Sequence, residues 1–235
     1  MCVIDFHTHV LPAVDDGSKS VEQSIEMLAS LAEQSVNTVV ATPHFYANDE
    51  SVEDFLEKRN RAYEILKSHV RFEQNIILGA EVRYYDGISH LQDLKKLRIE
   101  GTKLLLIEMP FDKWTNYAIS EIIDIASRGK ITPVLAHIDR YLPIINNDLI
   151  KRLSAHGVLF QINASSFEGL VKSSKAIRLL KNGFVHFIGS DCHNTSDRAP
   201  NIKIASDKID KKLGNGAFED FIKYSNYLFN QNLIF

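Results

Sequence analysis

Cysteine is nearly absent from this chain, with Cys2 and Cys192 the whole supply. One opens the first predicted strand and the other follows the last, so in a parallel sheet they lie at opposite ends and cannot bridge. That argues against a disulfide-stapled fold and for a reducing, cytoplasmic setting. Excess positive charge is missing too: Lys+Arg number 27 against 30 Asp+Glu, a net charge of −3, with no basic run. A nucleic acid partner held by phosphate neutralisation is therefore not expected, although one or two placed arginines can still meet a phosphate. No apolar run approaches the roughly 18 residues of a membrane span, and no charged-then-apolar leader opens the chain. The expectation is a soluble protein, not membrane-embedded.

What remains is globular material. The 235 residues are 45% hydrophobic and 24% charged, enough for a large core without disulfides or metal. No low-complexity linker, repeat or composition break divides them, so residues 1–235 read as one domain. β-branched and apolar runs at 2–9, 36–41, 76–78, 103–107, 131–136, 158–162 and 185–189 predict seven strands. Helical periodicity falls between them at 20–34, 51–70, 88–97, 117–127, 149–155 and 175–180, and again at 202–213 and 217–229. Strand followed by helix throughout means a parallel sheet with crossovers.

Six of the seven strands end in His, Asp or Glu: His7 and His9, His44, Glu81, Glu108, His137, and Asp191 with His193. An open sheet gathers ligands at one switch point served by a few strands. Polar groups at nearly every strand end converge only if the sheet closes. The fold class expected is α/β, a (β/α)7 TIM-like barrel with its site at the C-terminal face of the strands.

His7 and His9 share one parity of the first strand and project the same way, so two parallel imidazoles can share one ion. With Asp16, the strand-end set comes to five histidines (His7, His9, His44, His137, His193) and four carboxylates (Asp16, Glu81, Glu108, Asp191). His69, His90, His156 and His186 fall elsewhere and read as structural or solvated. Nine donors exceed the needs of one ion, which takes about four to six, so two or three divalent ions with a bridging carboxylate are expected. Imidazole and carboxylate without thiolate suit Mn²⁺, Fe²⁺ or Zn²⁺. Ions so clustered lower the pKa of a shared water and suit phosphoester hydrolysis by hydroxide. Arg140 and Arg198 follow ligand positions and can hold phosphate oxygens bidentately. Tyr46, Tyr84, Trp114 and Tyr141 follow the same strand ends and can stack on an aromatic substrate or line the rim.

A competing motif is Cys192 to Arg198, which has the C-x5-R spacing of thiolate phosphatases. Such loops cradle phosphate on backbone N–H groups and normally carry glycine; this one has none, and Asp197 adds an opposing charge. The spacing reads as accidental.

The motif set H-x-H with Val-Asp-Asp-Gly, Ala-Thr-Pro-His44, Gly-Ala-Glu81, Ile-Glu108, Ala-His137-Ile-Asp-Arg140 and Gly-Ser-Asp191-Cys-His193 resembles the PHP (polymerase and histidinol phosphatase) superfamily. Within it the chain looks most like the bacterial PHP-type protein-tyrosine phosphatases of capsule and exopolysaccharide operons. The resemblance implies a distorted (β/α)7 barrel and a trinuclear centre. By the same resemblance His7, His9, Glu81 and Asp191 hold one ion, Glu81, Glu108 and His137 a second, and Asp16, His44 and His193 a third. It further implies Arg140 and Arg198 as phosphate-binding residues, Mn²⁺ as the usual metal, and the phosphotyrosines of a tyrosine autokinase as the substrate. Asp16 and Glu108 stand where histidinol-phosphate phosphatases usually place histidines, and Asp139 departs from the glutamate more often found before the arginine in the tyrosine phosphatase branch. The alternatives are a PHP phosphatase or phosphodiesterase on a small phosphoester such as histidinol phosphate, or a metal-dependent amidohydrolase, which also begins with H-x-H. A metal-stabilised binding module is the non-enzyme alternative.

Overall fold

In a computed structural model that describes residues 2–69 and 74–234, the chain alternates strands and helices as its periodicity requires. The order is β1 (Val3–Thr8), α1 (Val21–Glu33), β2 (Val36–Ala41), β3 (His44–Phe45), α2 (Val52–His69), β4 (Asn75–Leu78), β5 (Glu81–Arg83), β6 (Leu104–Glu108), α3 (Asn116–Ser127), β7 (Thr132–Leu135), α4 (Ile138–Tyr141), α5 (Asn147–Ala155), β8 (Leu159–Asn163), α6 (Val171–Lys181), β9 (Phe187–Gly189), α7 (Ile202–Leu213) and α8 (Ala217–Gln231). The expected end of the second helix at Val70 lies outside the described residues.

The second and third expected strands are each followed by a short further strand outside the expected seven. β2 and β4 pair with β1 in one sheet, while their continuations β3 and β5 join β6 to β9 in another; every pairing is parallel. The first break falls at Pro43, which has no N–H to offer a ladder. The second follows Gly79, whose missing Cβ would lie 3.1 Å from Ile99. The expected helix at 88–97 is instead two 3₁₀ turns, Ile88–His90 and Leu94–Leu97. α4, too short to leave a periodicity, was not anticipated.

The sheet curls until its ends meet. Thr8 bridges Cys192 in parallel, the Asp191 N–H donates to the His7 carbonyl at 2.8 Å, and the His9 N–H to the Cys192 carbonyl at 3.0 Å. Gly189 permits this approach, because a Cβ there would lie 2.5 Å from the His7 Cβ. Inside the curl, Phe6 and Phe187 stack with centroids 3.9 Å apart, among Val40, Leu104, Leu106 and Val134. Leu105, Ile107 and Leu135, of the opposite parity, pack outward under the helices. Parity alone would send Phe6 inward and His7 out. The register slips between Asp5 and Thr8, a bulge that re-aims the side chains beyond it, and His7 and His9 turn toward the mouth.

His186 lies just before β9, 5% exposed, with Nδ1 accepting from the Phe160 N–H at 3.0 Å. Burial pushes its pKa down to about 4. The folded state therefore binds fewer protons than the unfolded chain between that value and about 6.5, so stability falls as pH drops through this window. The expected loss from His186 is about 2 kcal/mol at pH 5 relative to pH 7. Urea unfolding at both pH values should show a smaller acid loss in His186→Asn, whose amide oxygen can accept the same bond.

Candidate metal centre

The broken and bulged strands deliver the nine expected side chains to one mouth. His7 and His9 are oriented from behind: the Nδ1 of His7 lies 3.3 Å from the Gln161 Oε1 and that of His9 2.6 Å from the Asp15 Oδ2. Both therefore turn Nε2 inward, and the two Nε2 atoms stand 3.1 Å apart. Glu81 Oε2 is 3.0 Å from one and 3.3 Å from the other; Asp191 Oδ1 is 3.7 and 3.5 Å away. The second oxygen of Glu81 faces His137 Nε2 at 3.0 Å, with Glu108 at 3.5 Å from that nitrogen. Asp16 Oδ1 lies 3.5 Å from His44 Nε2 and 3.3 Å from His193 Nε2. His44 Nδ1 in turn is 3.1 Å from Glu81 Oε2. Glu81 thus reaches both halves of the cluster, as a bridging carboxylate would.

The donor set fits divalent ions. Three overlapping groups can each hold one: His9, Asp16, His44 and His193; His7, His9 and Asp191; and His44, Glu81 and Glu108. Among the described residues, buried His44 Nδ1 and His193 Nε2 have a carboxylate oxygen nearby but no well-aligned hydrogen bond, costly in a protein interior unless something accepts their lone pairs. The two Nε2 atoms of His7 and His9, 3.1 Å apart, lie close enough to ligate one ion together. His69, His90 and His156 are exposed and away from this mouth.

Charges in the cluster are set by mutual contact against burial. Burial opposes a charged His9, but Asp15 and Glu81 lift its pKa to about 10. His137, equally opposed by burial, is lifted to about 9 by Glu108 and Glu81. Burial disfavours the Glu81 carboxylate, yet His7, His137 and His9 hold its pKa well below the usual range. His193 goes the other way, down to about 4, through burial and the charge on His9. Protons on His9 and His137 stand where cations would, so ions entering the centre displace them.

Arg140 and Arg198 share one anchor. Each donates through Nη2 to a separate oxygen of Asp191, Arg198 at 2.9 Å, and each side chain remains 35% exposed. A guanidinium carries five N–H donors, so both keep donors to spare at the mouth. His137 and Asp191 take positive φ, 32° and 55°, a conformation that costs a non-glycine residue about 1 kcal/mol or more and collects at functional sites.

Burial bears on the competing C-x5-R motif and on the aromatic residues of the rim. Cys192 is fully buried in the outer core, and burial together with Asp5 and Asp191 pushes its thiol pKa far up; it is no thiolate nucleophile. Tyr84, Trp114 and Tyr141 are buried beneath the rim: the Tyr84 hydroxyl, with one proton to donate, lies 2.9 Å from both Asp86 and Glu121, and Trp114 and Tyr141 donate to the Pro110 and Met109 carbonyls. Tyr46 alone of the four reaches the surface, with its ring 5.3 Å from that of His44. Residues not anticipated also line or support the centre. Asp15 and Gln161 orient imidazoles, and Asn163 donates to Asp191 at 2.9 Å. Arg83 donates to Glu108 at 2.7 Å, and Phe111 packs on His137. Arg83 was within reach of sequence reasoning, being of the same strand parity as Glu81.

A curled parallel sheet with imidazoles and carboxylates gathered at its carboxyl ends defines a TIM-like α/β barrel with a candidate metal centre at its mouth. The chain belongs to the capsular polysaccharide synthesis CpsB/CapC family, whose pattern matches residues 3–229. It is similar to the tyrosine-protein phosphatase YwqE of Bacillus subtilis, 34% identical over 225 residues, covering 91% of this chain and 86% of that protein. Similarity to the tyrosine-protein phosphatase CpsB of Streptococcus pneumoniae is 34% over 233 residues, covering 90% and 91%. Among solved structures, one from work on YwqE and CpsB, described as unique metal-dependent tyrosine phosphatases, matches with a TM-score of 0.81 and 29% identity over 99% of this chain and 96% of that one. An organophosphorus hydrolase from Deinococcus radiodurans shares the fold alone, with a TM-score of 0.56 and 14% identity over 97% and 92% of the two chains.

Replacing Asp15 with Asn removes the charge that orients His9. The variant should bind Mn²⁺ roughly 10- to 100-fold more weakly, read by isothermal titration calorimetry beside the unaltered protein.

Proposed function

We propose that this protein is a metal-dependent protein-tyrosine phosphatase of capsular polysaccharide synthesis, acting on phosphotyrosine. The observation that carries the reading is the meeting of eight grouped donors, with His137 beside them on Glu81, and two partly exposed guanidiniums on Asp191, in a chain 34% identical to named tyrosine phosphatases. The nine ligands are His7, His9, Asp16, His44, Glu81, Glu108, His137, Asp191 and His193, within a single domain. Two or three ions fit their overlap, and the mixed nitrogen and oxygen donors favour Mn²⁺. Bound divalent ions supply charge neutralisation at the phosphoryl oxygens and lower the pKa of water.

The chain's own residues do the rest. Arg140 and Arg198 bind the phosphoryl oxygens through their spare N–H donors, and Asp191 fixes both forks. Asp15 and Gln161 hold two imidazoles in the tautomer that presents Nε2. Hydrolysis joins a water oxygen to phosphorus and breaks the bond to the tyrosine oxygen, releasing tyrosine and inorganic phosphate. A phenol of pKa about 10 is a fair leaving group, and no side chain needs to be assigned as its acid. The partner in this reading is a tyrosine autokinase. No helix among the described residues is long and apolar enough to cross a membrane, and two free cysteines suit the reducing cytoplasm.

A phosphotyrosine peptide should be turned over far faster than histidinol phosphate; the reverse order overturns the reading. Chelation should abolish turnover and Mn²⁺ restore it. Arg140→Ala and Arg198→Ala should each lose roughly 100-fold in kcat/KM, whereas Cys192→Ser should retain most activity.

A further inference from the structure

One side of the mouth carries groups that this scheme does not use. β3, β5 and β6 are consecutive neighbours in the sheet. Tyr46 follows the first, Arg83 ends the second and Phe111 lies just past the third. The Phe111 ring runs nearly parallel to the His137 imidazole, 21° between planes and 5.9 Å between centroids. It also rests against Tyr141, at 5.8 Å. Half of Phe111 nevertheless stays open to solvent.

A lone exposed phenylalanine is ordinary, but this one is held in place. Arg83 is pinned to Glu108 at 2.7 Å, and its guanidinium carbon sits 5.3 Å from the Phe111 centroid, within range of a cation–π contact. The ring is thereby fixed beside the donor cluster, while Arg140 and Arg198 rise from the ends of β7 and β9.

We infer that Phe111 is the wall against which the leaving-group ring of an aryl phosphomonoester packs, with Arg83 as the residue that positions it. The inference rests on the phosphatase reading and deepens it: the centre selects aryl over alkyl esters by stacking. Aromatic pairs of this kind contribute about 0.5–1.5 kcal/mol beyond area burial, a selectivity factor of roughly 2- to 13-fold.

The test separates ring from headgroup. Phenylphosphonate and methylphosphonate are compared as competitive inhibitors of phosphotyrosine-peptide hydrolysis by the Mn²⁺-loaded protein. Phe111→Ala should weaken phenylphosphonate by about 3- to 10-fold while leaving methylphosphonate within about twofold. Phe111→Tyr should keep the unaltered ratio, and Arg83→Ala should lower it in the same sense. An unchanged ratio in Phe111→Ala, or equal weakening of both inhibitors, overturns the inference while leaving the phosphatase reading intact. Absence of peptide turnover by the unaltered protein overturns the phosphatase reading itself, before any variant is compared.

Discussion

The seam between β1 and β9 is the contact on which the remainder of the molecule depends. Two backbone hydrogen bonds and one bridge join these edges, and they are possible only because residue 189 has no side chain. Open that seam and His7 and His9 part from Asp191 and His193, although every helix and most strand pairings could persist. Closure also joins the β1 and β9 edges, which would otherwise invite pairing with other chains. Local geometry and global assembly therefore meet at one glycine.

Closure gathers charge that a protein interior resists. Burial penalises an ion strongly unless partners surround it. Here each carboxylate faces an imidazole or a guanidinium, and His9 and His137 hold protons against burial because Asp15, Glu81 and Glu108 stand beside them. The arrangement is stable as a set and poor when halved. Removing a single member leaves an uncompensated buried charge, which explains why supporting groups such as Asp15, Gln161 and Asn163 are as closely engaged as the cluster they serve.

Much of this was legible in the amino-acid order. Residue types at strand ends imply convergence because seven strands feeding one face must meet if the sheet closes, and His7, His44, Glu81, Glu108, His137 and Asp191 occupy those ends. Less legible were features that depend on neighbours distant in the chain. Pro43 ends β2 by a local property, its missing N–H, but the turn at Gly79 depends on its closeness to Thr42 and Ile99, which no local pattern reveals. The β1 bulge reverses the simple parity argument for Phe6 against His7. Asp15 and Asp16 are adjacent and alike; the family resemblance singles out Asp16 beside His44 and His193, and the fold adds that Asp15 orients His9. Cys192 and Arg198 have a suggestive spacing that burial of the thiol nullifies. The 3₁₀ turns of 88–97 stand where propensity favoured a continuous helix.

Consider last the filling of the barrel. Phe6 and Phe187, on neighbouring strands of the seam, stack face to face inside it, and Phe229 of α8 joins the same inner cluster with Leu228 and Leu233 packed against it. Among the described residues the lumen is filled by buried apolar side chains, a packed core and not a pore. Traffic at the centre is consequently confined to a single doorway: an arriving ester and a departing anion must take turns, and vacating that doorway becomes part of every cycle.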